Sequence, residues 1–345
     1  MTDTTSTINI EKTVAGVIST IEKEREREII SRRFGLYDRK ETLEQIGELL
    51  GITRERVRQL EKAVITKMKA KADNGETPGL KEVEEKLIEL LNSKGKAARV
   101  TNLSLELTKE NSRIDQSRVT FLTKLCPKLT TVDENDFYFQ SAAIASKYSD
   151  KQLKTAVDVV IKAVKEIGEP VGIDKVAVAV KKGSDEEVAA LASISKQLAT
   201  LNGRWGLIKW PMVNPKNIRD KIYVILFEAG KHMHFSEIAE EIKKSDFKRK
   251  DVTTQAIHNE LIKDKRFVLV GRGIYALKEW GYKKGTVADV ITDVLKKAGE
   301  PLHRDEIVKR VLKDRYVKET TILLNLQGKP QFKRTAKATY TLADA

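Results

Sequence analysis

Apolar residues recur at helical spacing along most of the chain, and short aromatic-bearing stretches interrupt them at regular intervals. Ile222, Ile225, Leu226 and Ala229 form one such run, and Val290, Ile291, Val294, Leu295 and Ala298 form another. Both follow the period of a helix with one buried face. Each run stops at a glycine, Gly230 or Gly299, a residue that tolerates the left-handed conformation ending many helices. Placing Gly230 opposite Gly299 also aligns Ala229 with Ala298, His234 with His303, Glu237 with Glu306 and Ile238 with Ile307. A third copy passes through Val164, Gly168, Asp174 and Val176 and sets Asp174 opposite Asp305; a fourth, around Leu91 and Gly95, is more diverged. Each copy predicts a helix, a second short helix, a third after a loop, and a closing extended segment. The closing segments lie at residues 137–139, 205–210, 273–277 and 338–342.

In the third copy, residues 267–270 and 274–277 flank Gly271, Arg272 and Gly273, a hairpin signature in which glycine supplies the positive backbone angle. Three helices followed by a hairpin make a winged helix-turn-helix. The expected fold class is therefore mainly α with small β-hairpins. A helix-turn-helix at residues 20–72 precedes winged helices at 80–140, the most diverged, 150–213, 214–284 and 285–345. Short linkers at 73–79, 141–150, 211–215 and 282–285 predict an elongated string with little rearrangement inside each module.

Residues 25–69 carry the chemistry. Ile29, Ile30 and Phe34 predict a first helix over 26–34. Thr42 and Gln45 form a capping box, which starts a helix with Leu43, Ile46 and Leu50 on its apolar face. The chain turns at Gly51, and Thr53 caps a second helix from Arg54 to about Met68, with Val57, Leu60 and Val64 inward. Arg54, Glu55, Arg58 and Gln59 then share the outer side, as on a DNA recognition helix. Arginine pairs bidentately with guanine, glutamine with adenine, and glutamate accepts from cytosine. Between Thr53 and Lys71, seven basic residues face two acidic ones, so Arg56, Lys62 and Lys67 are candidate phosphate anchors. Thr42 and Thr53, at the two helix starts, join this set. A solvated charged face is the commoner explanation of such a run, and the preceding turn argues for DNA instead.

These stretches, Arg25 to Leu36, Thr42 to Gly47 and Leu50 to Lys62, resemble region 4 of primary bacterial sigma factors over about 50 residues. The resemblance implies that Arg54, Glu55, Arg58 and Gln59 contact a minus-35-like promoter element in double-stranded DNA, and that the flap of the RNA polymerase core is a partner. Only about 25 residues precede this region, so promoter opening without help is not expected. Residues 218–223, 235–238 and 258–277 resemble the HARE-type winged helix also found in the polymerase delta subunit, in chromatin regulators and beside restriction nucleases. The last repeat resembles it more loosely.

Composition agrees with this direction. The 345 residues contain 64 Lys and Arg against 50 Asp and Glu, a formal charge of +14, which favours polyanionic partners. The excess is +4 over residues 20–72, zero over 80–140, +2 over 150–213, +6 over 214–284 and +4 over 285–345, so DNA-facing candidates lie toward both ends. The neutral first winged helix reads as a spacer or protein-docking module. A single cysteine, Cys126, excludes an internal disulfide and any multi-cysteine metal site, and its apolar helical surroundings predict packing rather than nucleophilic catalysis. No signal-like N-terminus or membrane-length apolar run is present, which predicts a cytoplasmic, nucleoid-associated protein.

Other candidates favour plainer roles. His232, His234 and His258 suggest a metal site, yet only the His234 position recurs, as His303, so a structural or capping role is expected and no metal. Trp205, Trp210, Tyr275 and Trp280 are expected to complete small cores rather than stack on bases. Arg272, at the wing tip, is a candidate groove or phosphate contact. The chain is thus expected to be a non-enzymatic, sequence-specific transcription factor without cofactor, small-molecule substrate or membrane partner. One alternative is a delta-like polymerase accessory acting by protein binding. The other is a DNA-targeting module associated with a nuclease.

Overall fold

The computed structural model describes residues 8–282 and 285–343. Residues 1–7, to which the signal-sequence argument applied, and Lys283 and Lys284 of the fourth linker lie outside the described residues. The chain is mostly helical, with small three-stranded antiparallel sheets, and divides into two compact units, Met1–Lys209 and Trp210–Ala345.

The first unit opens with α1 (Ile10–Ser19), α2 (Glu24–Phe34), α3 (Leu43–Leu50) and α4 (Arg54–Asp73). Local chemistry sets these boundaries. Asn9 caps α1 by accepting from Lys12 N at 2.9 Å, and the Thr42/Gln45 box caps α3 through reciprocal bonds of 3.2 and 2.9 Å. Thr53 accepts from Arg56 N at 3.2 Å to start α4. α2 and α3 end on Gly35 and Gly51, both left-handed. Ile29, Ile46 and Val57, one from each of α2, α3 and α4, form a small core with Leu43, Leu50, Ile52 and Leu60 packed around them.

The first winged helix follows as α5 (Leu80–Ser93), β1 (Ala97–Arg99), α6 (Val100–Leu107), α7 (Arg113–Leu125), β2 (Leu129–Val132) and β3 (Ser141–Ile144). The second is α8 (Asp150–Ile167), β4 (Val171–Gly172), α9 (Ile173–Val180), α10 (Asp185–Ile194), β5 (Leu198–Leu201) and β6 (Arg204–Leu207). In both sheets the last strand lies in the middle: β1-β3-β2 and β4-β6-β5. The flanking β1 and β4 extend the expected hairpins. They are two or three residues long and read as helix starts, too short for an alternating pattern to register.

Two expectations are corrected here. Phe137–Phe139 is not the closing strand of the first winged helix; β3 is, pairing with β1 from Ala97↔Ala143 to Arg99↔Ser141 and with β2 from Leu129↔Ile144 to Val132↔Ser141. The 80–140 boundary therefore falls short, and 141–150 is not a linker throughout. The central position needs small side chains, and Ala142 and Ala143 are wholly buried there, although alanine is a weak sign of strand. The aromatic segment instead crosses to the second winged helix. Tyr138 bridges Ser195, Phe139 N donates to Ile194 O at 2.9 Å, and Lys196 N donates to Phe137 O at 2.8 Å. The Arg99 guanidinium stacks 3.8 Å over the Phe139 ring and donates to Ser193 O.

Nor is the helix-turn-helix a free bead on a string. Its Ile30, Phe34, Leu36, Val64 and Met68 belong to the same core as α1 (Val14, Val17), α5 (Leu87, Leu91) and α7 (Phe121, Leu122). Phe34 and Phe121 meet edge to face at 5.1 Å. Arg118 of α7 reaches Leu36 O at 2.9 Å and Glu11 of α1 at 2.9 Å.

The second unit holds α11 (Ile218–Ala229), β7 (Met233–His234), α12 (Phe235–Lys244), α13 (Thr254–Lys263), β8 (Phe267–Gly271) and β9 (Ile274–Leu277), then a 3-10 turn at Lys278–Trp280. The fourth winged helix is α14 (Val287–Ala298), β10 (Leu302–His303), α15 (Arg304–Asp314), α16 (Glu319–Gly328), β11 (Phe332–Ala336) and β12 (Thr339–Leu342). Strand order repeats as β7-β9-β8 and β10-β12-β11. In both hairpins the register shifts by one residue, between Leu269 and Gly271 and between Arg334 and Ala336.

Candidate nucleic-acid interface

The start of α4 gathers the residues with base-reading chemistry. Arg54, Glu55, Arg58 and Gln59 are all exposed, while Val57 one turn inward is wholly buried. Positions 54 and 58, and 55 and 59, are four residues apart, so they stack along one helical side. The four do not stand alone. Arg58 donates to both oxygens of Glu55, from Nε at 2.8 Å and from Nη2 at 2.7 Å. Gln59 Nε2 donates to Glu55 Oε1 at 3.3 Å, and Arg56 Nη1 donates to Gln59 Oε1 at 3.4 Å. Arg54 pairs with Glu44 of α3 at 3.1 Å. Hydrogen bonds from Arg58 hold the Glu55 carboxyl down at about 2, against an ordinary 4.5, and Glu55 raises Arg58 in return. The face is a preformed polar network whose members already hold one another.

Other expected residues fall around this face. Thr42 and Thr53 cap α3 and α4, so their hydroxyls already accept backbone hydrogens there. Lys62 lies one turn beyond Arg58 and is exposed. Lys67 is exposed but sits further along α4, in a depression shared with Lys23, Glu26 and Lys71 near the α1–α2 junction. Arg272 is exposed on the β8–β9 turn, in the second compact unit.

Three supporting residues escape a sequence reading. Glu44 orients Arg54. Arg25 Nη2 donates to Leu50 O at 2.6 Å and ties α2 to the end of α3. Gly47 is needed because a Cβ there would lie 2.6 Å from Ile52 O, inside the turn between α3 and α4. Their partners lie up to 25 residues away, beyond the reach of capping and periodicity.

The remaining candidates have structural partners. His234 is the N-cap of α12: its Nδ1 accepts from Ser236 N at 3.3 Å while its own N donates to Glu237 at 3.1 Å. His303 caps α15 in the same way, accepting from Asp305 N at 3.4 Å. His258 packs beside Phe235 and Tyr275, and His232 packs 4.0 Å from the Tyr316 ring of the fourth winged helix. Cys126 is buried, which pushes its thiol up. Tyr275 is buried as expected, whereas Trp205, on the central strand β6, and Trp210 and Trp280, outside the sheets, are only half-buried. No helix of the described residues is long and apolar enough to cross a membrane.

Comparison with known proteins places a relationship on this region. The family described as Sigma-70, region 4 matches residues 23–70, which span α2 to α4. RNA polymerase sigma factor sigB of Arabidopsis thaliana is 49% identical over 51 residues, 14% of this chain and 9% of that protein. RNA polymerase sigma factor SigA1 of Synechococcus elongatus is 47% identical over 55 residues, 16% of this chain and 14% of its own. RNA polymerase sigma factor RpoD of Helicobacter pylori is 51% identical over 49 residues, 14% of this chain and 7% of that protein. The matched segment thus spans a small fraction of each relative's length.

Proposed function

We propose that the chain is a sequence-specific DNA-binding transcription factor acting at promoters together with RNA polymerase. In this reading Arg54, Glu55, Arg58 and Gln59 address a minus-35-like element in the major groove. Arg56, Lys62 and Lys67 neutralise phosphates, and the Thr42 and Thr53 ends approach the backbone. The polymerase core, at its flap, is the protein partner, and the protein works in the cytoplasm on the nucleoid without a cofactor. The observation that carries the proposal is the exposed polar network at the start of α4, set behind a capped turn, in a segment about half identical to RNA polymerase sigma factors.

One observation favours a second reading, a delta-like polymerase accessory that works through protein surfaces, with HARE-type modules in its second unit. The third helices of the first two winged helices are enclosed: α7 exposes only Arg113, and α10 exposes only Asp185 and Glu186. Neither module offers its third helix to a groove. A genome-wide footprint of the protein alongside RNA polymerase separates the readings. Coincidence at promoters carrying a shared minus-35-like sequence is the expected result. Polymerase-dependent occupancy with no shared sequence overturns base reading in favour of the accessory role.

A further inference from the structure

The four winged helices share a fold, but they differ in what surrounds the third helix, the one that a winged helix offers to a groove. α7 is clamped between α1, α2, α4 and α5, and α10 packs on β1, α8 and α9. α13 is free on its outer side: Thr254, Gln255, Asn259, Ile262 and Lys263 are exposed, and Ile257 and Leu261 are buried beneath. Gln255, Asn259 and Ile262 fall at i, i+4 and i+7, so they form a single stripe. Gln255 Nε2 donates to Asn259 Oδ1 at 3.1 Å, which holds two primary amides side by side. Amides of this kind pair bidentately with adenine, and an exposed aliphatic tip suits the thymine methyl.

Basic groups flank that stripe at both ends. Before α13, the exposed Lys248, Arg249 and Lys250 lie on a loop whose shape is imposed from inside. Phe247 is buried, and Lys221, only 4% exposed, donates to Arg249 O at 2.6 Å. Arg249 itself takes a left-handed φ of 56°. A buried lysine spent on a backbone carbonyl fixes the loop, so its three cations start from a defined position. After α13, exposed Lys265 supplies the other flank, and Arg272 is exposed on the β8–β9 turn of the same module. Residues 214–284 carry the largest positive excess of the five segments, +6. Positioned cations on both sides of a stripe of base-edge donors and acceptors match duplex DNA, where phosphate contacts position and base contacts specify.

We infer that the third winged helix carries a second duplex-DNA surface, separate from α4, with α13 in a groove and the 248–250 loop and Arg272 on the flanking phosphates. It selects adenine-thymine steps through Gln255 and Asn259. The first two winged helices take no part in contacting DNA. This inference does not depend on the promoter reading of α4, and its test keeps the two apart.

The full chain is footprinted with hydroxyl radicals on duplexes that carry a bound site, and binding is titrated over a range of salt. Three exposed-surface variants are compared: Arg58→Ala, the double Lys248→Glu/Lys250→Glu, and Asn259→Ala. The double variant is expected to lose one protected patch while keeping the patch that Arg58→Ala removes. Its affinity is expected to fall at least tenfold, with the log–log salt slope lowered by roughly two, since each phosphate no longer neutralised lowers it by about 0.9. Asn259→Ala is expected to relax adenine-thymine preference within the same patch without altering the salt slope. An unchanged footprint and slope in the double variant overturns the inference, as does an unchanged DNA affinity accompanied by failure to capture core polymerase, which marks the surface as protein-binding. If Arg58→Ala has no effect while the double variant behaves as described, the α4 reading fails and this one stands.

Discussion

Arg58 chelates Glu55: two guanidinium nitrogens sit 2.8 and 2.7 Å from the two oxygens of a carboxylate one turn earlier on the same helix. The residue best suited to read guanine is therefore engaged in the free protein by its neighbour. If α4 reads DNA as proposed, binding has to replace that pair, and the strength of the pair can be followed by titration. Glu55 lies below its ordinary range, so the pair is complete above 4.5 and is lost as pH falls through about 2. In Arg58→Ala the carboxyl titration followed by NMR is expected to move up toward 4.5. A midpoint that stays near 2 in the variant would mean that Arg58 is not its cause.

On DNA, Arg58→Ala is expected to cost about 1–3 kcal/mol of discrimination between a promoter-derived duplex and a random one. Lys67→Ala is expected to weaken both equally and to lower the log–log salt slope by about 0.9. Competition titrations at several salt concentrations distinguish the two. Equal effects of both variants on specific and random DNA would remove α4 from base reading.

Much of the helix-turn-helix is legible from the residues alone, because its signals are local. Thr42 with Gln45, Gly51, Thr53 and the spacing of Ile46, Val57 and Val64 each act within a few residues of where they appear. Partners distant in sequence are a different matter. Ile10, Val14 and Val17 have helical spacing, yet nothing near them tells that α1 packs on α7, roughly a hundred residues later. Phe137 and Phe139 look like a wing strand because aromatics favour strands, and only the needs of Arg99 and Ser195 show where they go. The exposed cluster of Arg54, Glu55, Arg58 and Gln59 is visible in the heptad, while its internal pairing and the role of Glu44 depend on rotamers and on a second helix.

The shared core makes a thermodynamic prediction. Phe121→Ala removes the ring that packs on Phe34 and is expected to cost about 3–5 kcal/mol, the usual range for a fully buried phenylalanine. Because one core serves both modules, hydrogen-exchange protection in α2 and α4 is expected to fall together with that in α5 and α7. Loss confined to the winged helix would show that the helix-turn-helix is stable by itself.

His232 gives the second unit a pH dependence. Burial, with Lys231 adding to it, holds this imidazole below its ordinary 6.5, while it packs against Tyr316 and Tyr282. A base depressed in the folded state contributes stability above its unfolded value and loses it as pH falls through the folded one. As pH falls below 6.5 the packing between the third and fourth winged helices is expected to loosen, seen as faster exchange around residues 232 and 316. His232→Phe should abolish that dependence, and persistence of the effect would place its origin elsewhere.

Gly95 has a left-handed φ of 78°, and a side chain at that position would collide with the Glu186 carbonyl at the start of α10. Together with the Tyr138 to Ser195 bridge, this closeness decides where the chain can be cut. A truncation at residue 140 deletes the middle strand of the first sheet, and one near 149 strips the second winged helix from Phe139 and Arg99. Fragments ending at either place are expected to be insoluble or digested, whereas one ending near Lys209 keeps the first two winged helices and the helix-turn-helix together. Limited proteolysis of the intact protein should accordingly leave a resistant piece that ends near Lys209 and holds both modules together, to be handled as one object when it is labelled, crystallised or fused to another protein.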